Sequence, residues 1–262
     1  MHDFHATLHA AFLCSDPVTK AELTQTACAA WKTGKIQRPH QAALDWQDRP
    51  GRPEKPDLCA PNAMPRRRYK GLKGRIGLLH ALAHIELNAI DLALDLLGRF
   101  TTAPFPDKFI DDWMAVAQDE SKHFLMINKR LEDLGSFYGA LPAHDGLWEA
   151  AYKTKHDLAA RLAVVPLVLE ARGLDVTPGM IEKLERGGDV KSAELLEVIF
   201  QDEKTHVRAG VDWFLDLCKQ QKQHPEEVFR DKVATYFDGI LKPPFNIAAR
   251  NEAGLPENFY QS

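Results

Sequence analysis

The hexapeptide DESKHF at 119–124 nearly recurs as DEKTHV at 202–207, and each copy lies inside an apolar helical pattern. Steps of three and four place Trp113, Val116, Glu120, His123, Ile127 and Leu131 on one helix face. The same steps align Leu196, Ile199, Glu203, His206, Gly210, Trp213 and Leu217. Two further segments carry one carboxylate each on such a stripe: Leu79, Leu82, Glu86, Ile90, Ala93 and Leu97, and Leu162, Pro166, Glu170 and Gly173. Charge on a core-facing stripe is expensive unless something compensates it. Any fold for this chain must therefore supply a partner for four inward carboxylates and two imidazoles.

The spacings match. Glu86 and Glu120 are 34 residues apart, Glu170 and Glu203 are 33 apart, and the two halves are offset by 84 and 83 (170 − 86 and 203 − 120). The pattern reads as two copies of one helical hairpin about a pseudo-twofold axis. Four bare carboxylates in a core would repel one another and take up protons. Two divalent metals offset that charge and give the imidazoles a role. Oxygen and imidazole donors without thiolate suit iron or manganese. One Glu on each of two helices, plus Glu-x-x-His on each of two others, is the di-iron or di-manganese carboxylate arrangement. A lone Glu-x-x-His occurs by chance on exposed helices. Two copies, each preceded by an inward Glu at a matched distance, weigh against solvated helix charges.

Strand signals are nearly absent and helical periodicity runs throughout, so the fold class is all-α. Asp16-Pro17 marks a cap and first turn for an N-terminal helix ending near Gly34. Residues 38–65 form a Pro-rich arm, a length of irregular chain that in compact proteins often covers something. Four long helices follow: Lys73 to Leu97; a cap at Asp107 and on to Leu134; a cap at Asp145 and on to Arg172, kinked at Pro166; and a cap at Asp189 and on to Gln220. A helix around 226–240 precedes an extended tail, KPPFNIAARNEAGLPENFY. The organisation is one domain over 1–262: N-terminal helix and arm (1–70), four-helix bundle (71–222), C-terminal helix and tail (223–262).

With 45% apolar and 27% charged residues in 262, the chain has enough material for a sizeable core. A net charge of −4 argues against a protein built to hold nucleic acid or an anionic membrane. No apolar run reaches membrane-spanning length and the N-terminus lacks the pattern of a signal peptide. Cys14, Cys28, Cys59 and Cys218 are scattered, which suits reduced thiols in a cytoplasmic protein.

At these residues the chain resembles the ferritin-like superfamily, and more narrowly the DUF455 family. The resemblance runs through MPRRRYKGLKGRIGLLHALAHIELNAIDLALDLLGRF, DESKHF, LPAHDGLWEAA, RLAVVPLVLEARGLDVTP, DEKTHV and LKPPFNIAARNEAGLPENFY, which is most of the chain. It implies a ferritin-like four-helix bundle with Glu86, Glu120 and His123 on one metal. Glu170, Glu203 and His206 fall on the other, with Glu120 and Glu203 as bridging carboxylates. It names no substrate.

The expected function is a dinuclear, di-iron carboxylate protein, an oxygen-activating hydroxylase or oxidase of a small organic substrate. Two iron ions are the expected cofactor, with manganese/iron also compatible. Dioxygen, a small molecule and an electron donor are the expected partners. The alternatives are ferritin-like storage or ferroxidase activity, a tRNA-modifying hydroxylase supported only by the basic run RRRYK at 66–70, and a structural bundle without catalysis. Other candidates are weaker. His84 lies about 200° from Glu86, so it and His80 suit helix packing or the surface. Asp119 and Asp202 are positioned either to orient the histidines or to face solvent. His144-Asp145 suits a turn and cap, and Arg172 suits a neighbouring carboxylate or an acidic substrate.

Overall fold

Aspartates start four of the helices, because their carboxylates accept the unpaired amide hydrogens of a first turn. Asp3 takes the Ala6 amide at 2.7 Å and begins α1 (Phe4–Leu13). Asp16 takes the Thr19 amide at 2.8 Å and, with Pro17, begins α2 (Pro17–Lys32). This computed structural model describes residues 2–39, 46–60, 63–64, 71–101 and 106–261. All of its regular structure is helical. β pairing among the described residues amounts to the isolated bridges His2–Ile36 and Leu58–Ala143. The chain divides into two compact units, 1–148 and 149–262.

The first unit is built on α3 (Gly71–Phe100) and α4 (Asp107–Asp133), its most extensively packed pair, with α1 and α2 laid against them. From Leu87 to Gly98 every residue of α3 is buried. A helix buried all round must have partners for its polar groups. Asp91 pairs with Lys20 of α2 and, at 3.3 Å, with Arg52 of the Pro-rich arm. The Lys20 ammonium also donates to the Phe12 and Gly51 carbonyls, each at 3.0 Å. Arg52 donates to Asn88 at 2.7 Å. Asp95 accepts from the Trp46 indole at 3.0 Å and pairs with Arg99 at 2.6 Å. Trp46 lies so close to Gly98 that a Cβ there would stand 2.4 Å from the ring, so only glycine fits. The described part of the arm is thus a cover for α3, on the face about 140–200° round from Glu86.

Helix α3 is long and apolar enough to cross a membrane, but 78% of its most apolar window is buried in the protein's own core. Its apolar surface is already spent.

A short helix, α5 (Gly146–Lys153), spans the boundary between the units in the chain. In the second unit, Asp157 caps α6 (Leu158–Val164) by accepting from the Ala160 amide at 3.0 Å. A π-helical segment, Val165–Glu170, leads into α7 (Ala171–Arg186). Asp189 caps α8 (Val190–Gln220), accepting from the Ser192 amide. Helix α8 packs along α7 and the π segment, while α9 (Pro225–Tyr236) packs on α6.

The structure corrects the sequence reading at several places. The helix expected from Asp145 to Arg172 is broken at 154–157, contains a π segment where a kink was expected, and continues past Gly173 and Pro178 to Arg186. Packing of Leu174, Thr177 and Leu184 carries α7 through those residues. Asp107 is the first residue of α4 rather than its cap, and the Asp145 carboxylate is engaged by Arg49 and Arg52 at 3.0 and 3.7 Å. The tail is not simply extended. It forms α10 (Ile247–Glu252) and α11 (Glu257–Tyr260), and it is docked on α7 by Arg250, which pairs with Asp175 at 2.7 Å. The basic run 66–70 lies outside the described residues.

Candidate metal centre

In the first unit the packing of α3 on α4 brings Glu86 opposite Glu120 and His123. The last two stand one turn apart on α4, an i,i+3 pair that shares a face. His123 Nδ1 lies 3.3 Å from Glu86 Oε2 and 3.6 Å from Glu120 Oε2. Each of the three residues offers a donor atom within 4.8 Å of the others, the spacing of ligands around one cation. All three are buried, at 3%, 0% and 0% exposure. Burial alone pushes the His123 imidazole down. The hydrogen bonds and charges of Glu120 and Glu86 outweigh it and raise the pKa to about 11. The pair of carboxylates therefore creates a strong local demand for positive charge, which a proton on His123 meets in part.

The second unit holds the other three residues. Glu203 and His206 sit one turn apart on α8, with His206 Nδ1 3.7 Å from Glu203 Oε2. His206 is buried at 1% exposure, and the Glu203 side chain is 13% exposed. Glu170 is the last residue of the π segment, which packs on α8, and is half-buried. The set has the same chemistry as the first: two carboxylates and one imidazole, no thiolate.

Carboxylate and imidazole donors on rigid helices fit a divalent iron or manganese ion. The four cysteines are free thiols. Cys28 is occupied with the Met114 carbonyl at 3.2 Å, and its thiol is pushed up to about 12, chiefly by burial. A cavity of about 830 Å³ in the first unit is lined by Cys28, Trp31, Ile36, Met114, Ala115 and Gln118 among others. It includes none of Glu86, Glu120 and His123.

The secondary candidates resolve into structural roles. His80 accepts hydrogen bonds from the Gly139 and Leu141 amides at 2.9 and 3.3 Å. His84 contacts the Tyr138 hydroxyl at 2.8 Å and the His144 carbonyl at 3.1 Å. Together they hold the loop that follows α4. Asp119 pairs with Lys122 at 2.9 Å. Arg172 pairs with Asp175 and donates to the Lys242 and Pro244 carbonyls, so it holds the tail. His144 accepts from the Gly146 amide, a turn as expected. Sequence patterns alone missed the buried Lys20–Asp91–Arg52 cluster. Its signal was present as acidic residues inside a helix that is otherwise apolar.

Among known proteins, an uncharacterized protein of Haemophilus influenzae is 41% identical over 211 residues, covering 79% of this chain and 73% of that protein. No solved structure matches. Residues 13–261 match the family described as "Protein of unknown function (DUF455)", and with both findings the chain belongs to the DUF455 family.

Proposed function

We propose that this chain is a ferritin-like, dinuclear-metal carboxylate protein that activates dioxygen to oxidise or hydroxylate a small organic substrate. The observation that carries the reading is the buried cluster of Glu86, Glu120 and His123, with donor atoms within 4.8 Å of one another. In this reading α3, α4, the α6–α7 run and α8 are the four helices of a ferritin-like bundle. Glu86, Glu120 and His123 would hold one ion, and Glu170, Glu203 and His206 would hold the other. The matched spacing of the two sets supports a pair of ions. The full burial of the first set supports chemistry kept from bulk water.

When bound, two iron ions (or a manganese/iron pair) supply the redox equivalents for reaction with dioxygen. The protein's own part is to fix the ligands. His123 would bind a metal as the neutral imidazole, so loading would release the proton that Glu86 and Glu120 otherwise favour on its ring. The same carboxylates then neutralise the ion. That chemistry would draw on an electron donor as a partner.

The test is metal analysis after expression in iron-replete medium, a crystal structure with anomalous scattering, and oxygen uptake by the reduced, loaded protein. Two ions roughly 3.5–4 Å apart and stoichiometric oxygen consumption support the proposal. Uptake of many iron atoms per chain into a cage-like oligomer moves the assignment to storage. A chain that binds no iron or manganese at these six residues refutes it.

A further inference from the structure

We propose that Pro166 and Gly210 are positioning residues that set where Glu170 stands relative to Glu203 and His206; the inference rests on the metal-binding reading above. Pro166 is the second residue of the π segment, and Glu170 is its last. Gly210 follows His206 by one turn on the same stripe of α8. The contact between them is therefore one turn from the ligand on each element.

That contact leaves no room for a side chain at residue 210. A Cβ at residue 210 would lie 2.5 Å from Pro166 Cβ, 2.6 Å from Pro166 Cγ and 3.0 Å from Leu167 Cδ1. Non-bonded carbons sit about 3.5–4.0 Å apart. The two closest of these atoms belong to a buried, rigid ring, so they cannot rotate away as a flexible side chain would. Proline also brings no amide hydrogen to the ladder. The wide turn that follows it is closed by the Ala171 amide, which donates to the Pro166 carbonyl five residues back. The ring thus occupies the space that glycine leaves, and the turn beginning at that ring ends at Glu170. Loosening or forcing the contact moves a carboxylate that must meet a cation within a few tenths of an ångström.

The experiment is anaerobic titration with Co(II) of the full-length, chelator-treated protein, followed by visible absorption, which reports ligand geometry. Wild type is expected to bind two Co(II) per chain. Gly210→Ala is expected to lose about 10–100-fold in affinity at one of the two sites, the range for residues that orient a metal ligand, with an altered spectrum at that site. The double variant Pro166→Gly/Gly210→Ala, which removes both ring atoms that the new methyl would meet, should recover most of the affinity. Gly179→Ala, the same change on α7 where nothing lies within 4 Å, should titrate as wild type. If Gly210→Ala does not fold, Pro166→Ala alone gives the reading, since removing the ring should loosen Glu170 and weaken one site. Two Co(II) bound by these variants with wild-type affinity and spectrum would overturn the positioning role while leaving the metal reading intact. A loss in Gly210→Ala that the double variant does not recover would overturn it too. A wild type that binds no Co(II) brings down the metal reading itself.

Discussion

His84 makes the protein's stability depend on pH in a way that can be worked out from its surroundings. The ring is buried, with Nε2 facing the His144 carbonyl at 3.1 Å and the Asn88 side-chain nitrogen at 3.2 Å; the neutral tautomer with its hydrogen on Nε2 donates to that carbonyl, while the Asn88 amide donates to the His84 carbonyl at 2.7 Å. Nδ1 then accepts from the Tyr138 hydroxyl at 2.8 Å. Both positions are satisfied by the neutral ring. A second proton would reverse the tyrosine bond and place a charge in a buried setting that already faces the Arg52 cation. Burial first, and then Arg52, depress the pKa from 6.5 to about 4. The sign follows: the folded state binds the proton less readily than the unfolded state. The stability that His84 confers is therefore present above pH 6.5 and is lost as pH falls toward 4. The loss between pH 8 and pH 5 is about 2 kcal/mol, approaching about 3 kcal/mol below pH 4. The perturbation is His84→Gln, which keeps a donor and an acceptor but cannot titrate. Denaturant unfolding of both proteins at pH 8 and pH 5, with chelator throughout, should show wild type losing about 2 kcal/mol more than the variant. Whatever the substitution costs at pH 8 cancels in that comparison. Exchange of the Gly139 and Leu141 amides gives a local reading should the two units not unfold together. Unfolding curves that shift in parallel, within about 0.5 kcal/mol, would refute a buried neutral His84.

Three further outcomes are expected. His123→Ala or His206→Ala should lower the melting temperature of metal-loaded protein far more than that of chelator-treated protein, because ligand affinity for the folded state adds to stability by mass action; equal losses would make the histidines packing residues only. Lys20→Met leaves buried Asp91 with Arg52 alone and should cost about 3–5 kcal/mol in denaturant unfolding, with Lys20→Met/Asp91→Leu recovering much of it; a single-variant cost below about 1 kcal/mol would mean Arg52 suffices. Arg250→Ala removes both the pair with Asp175 and the cation held between the Phe245 and Tyr260 rings, so limited proteolysis should clip the C-terminal tail at protease levels that spare wild type; unchanged resistance would show that the tail is held by its apolar contacts.

Much of the helical layout was legible because its signals are local. Asp16-Pro17 and Asp189 cap the helices assigned to them, and Gln220 ends the last long helix as expected. Helix α1 has an equally clear pattern, with Phe4, Leu8, Ala11 and Phe12 buried and Asp3 as cap, although the sequence reading above places no helix there. The break at 154–157 and the run through Pro178 were not legible, since both depend on what packs against them. The same holds for the arm. Its prolines announced irregular chain, and only the structure shows Trp46 and Arg52 satisfying Asp95, Asn88 and Asp91. For the site, helical periodicity was enough to bring Glu86, Glu120 and His123 together, because α3 and α4 are regular where those residues lie.

The remaining irregularity in the sequence has a structural explanation. His206 follows His123 by 83 residues and Glu203 follows Glu120 by 83, yet Glu170 follows Glu86 by 84. On the apolar stripes, fully buried Leu162 follows fully buried Leu79 by 83. The second half therefore carries one extra residue between its stripe leucine and its glutamate, and gives it back before Glu203. The steps from leucine to glutamate are three and four on α3 but four and four on the run through Pro166. Two steps of four on a regular α-helix would swing Glu170 about 80° off the leucine's face. A π turn absorbs one additional residue and returns the side chains that follow to the original stripe. The segment from Val165 to Glu170 lies in that interval and is π-helical. The extra residue and the wide turn therefore account for each other. Glu170 is kept on the stripe of Leu162 by a local distortion where a strictly helical reading of the sequence expects a proline kink.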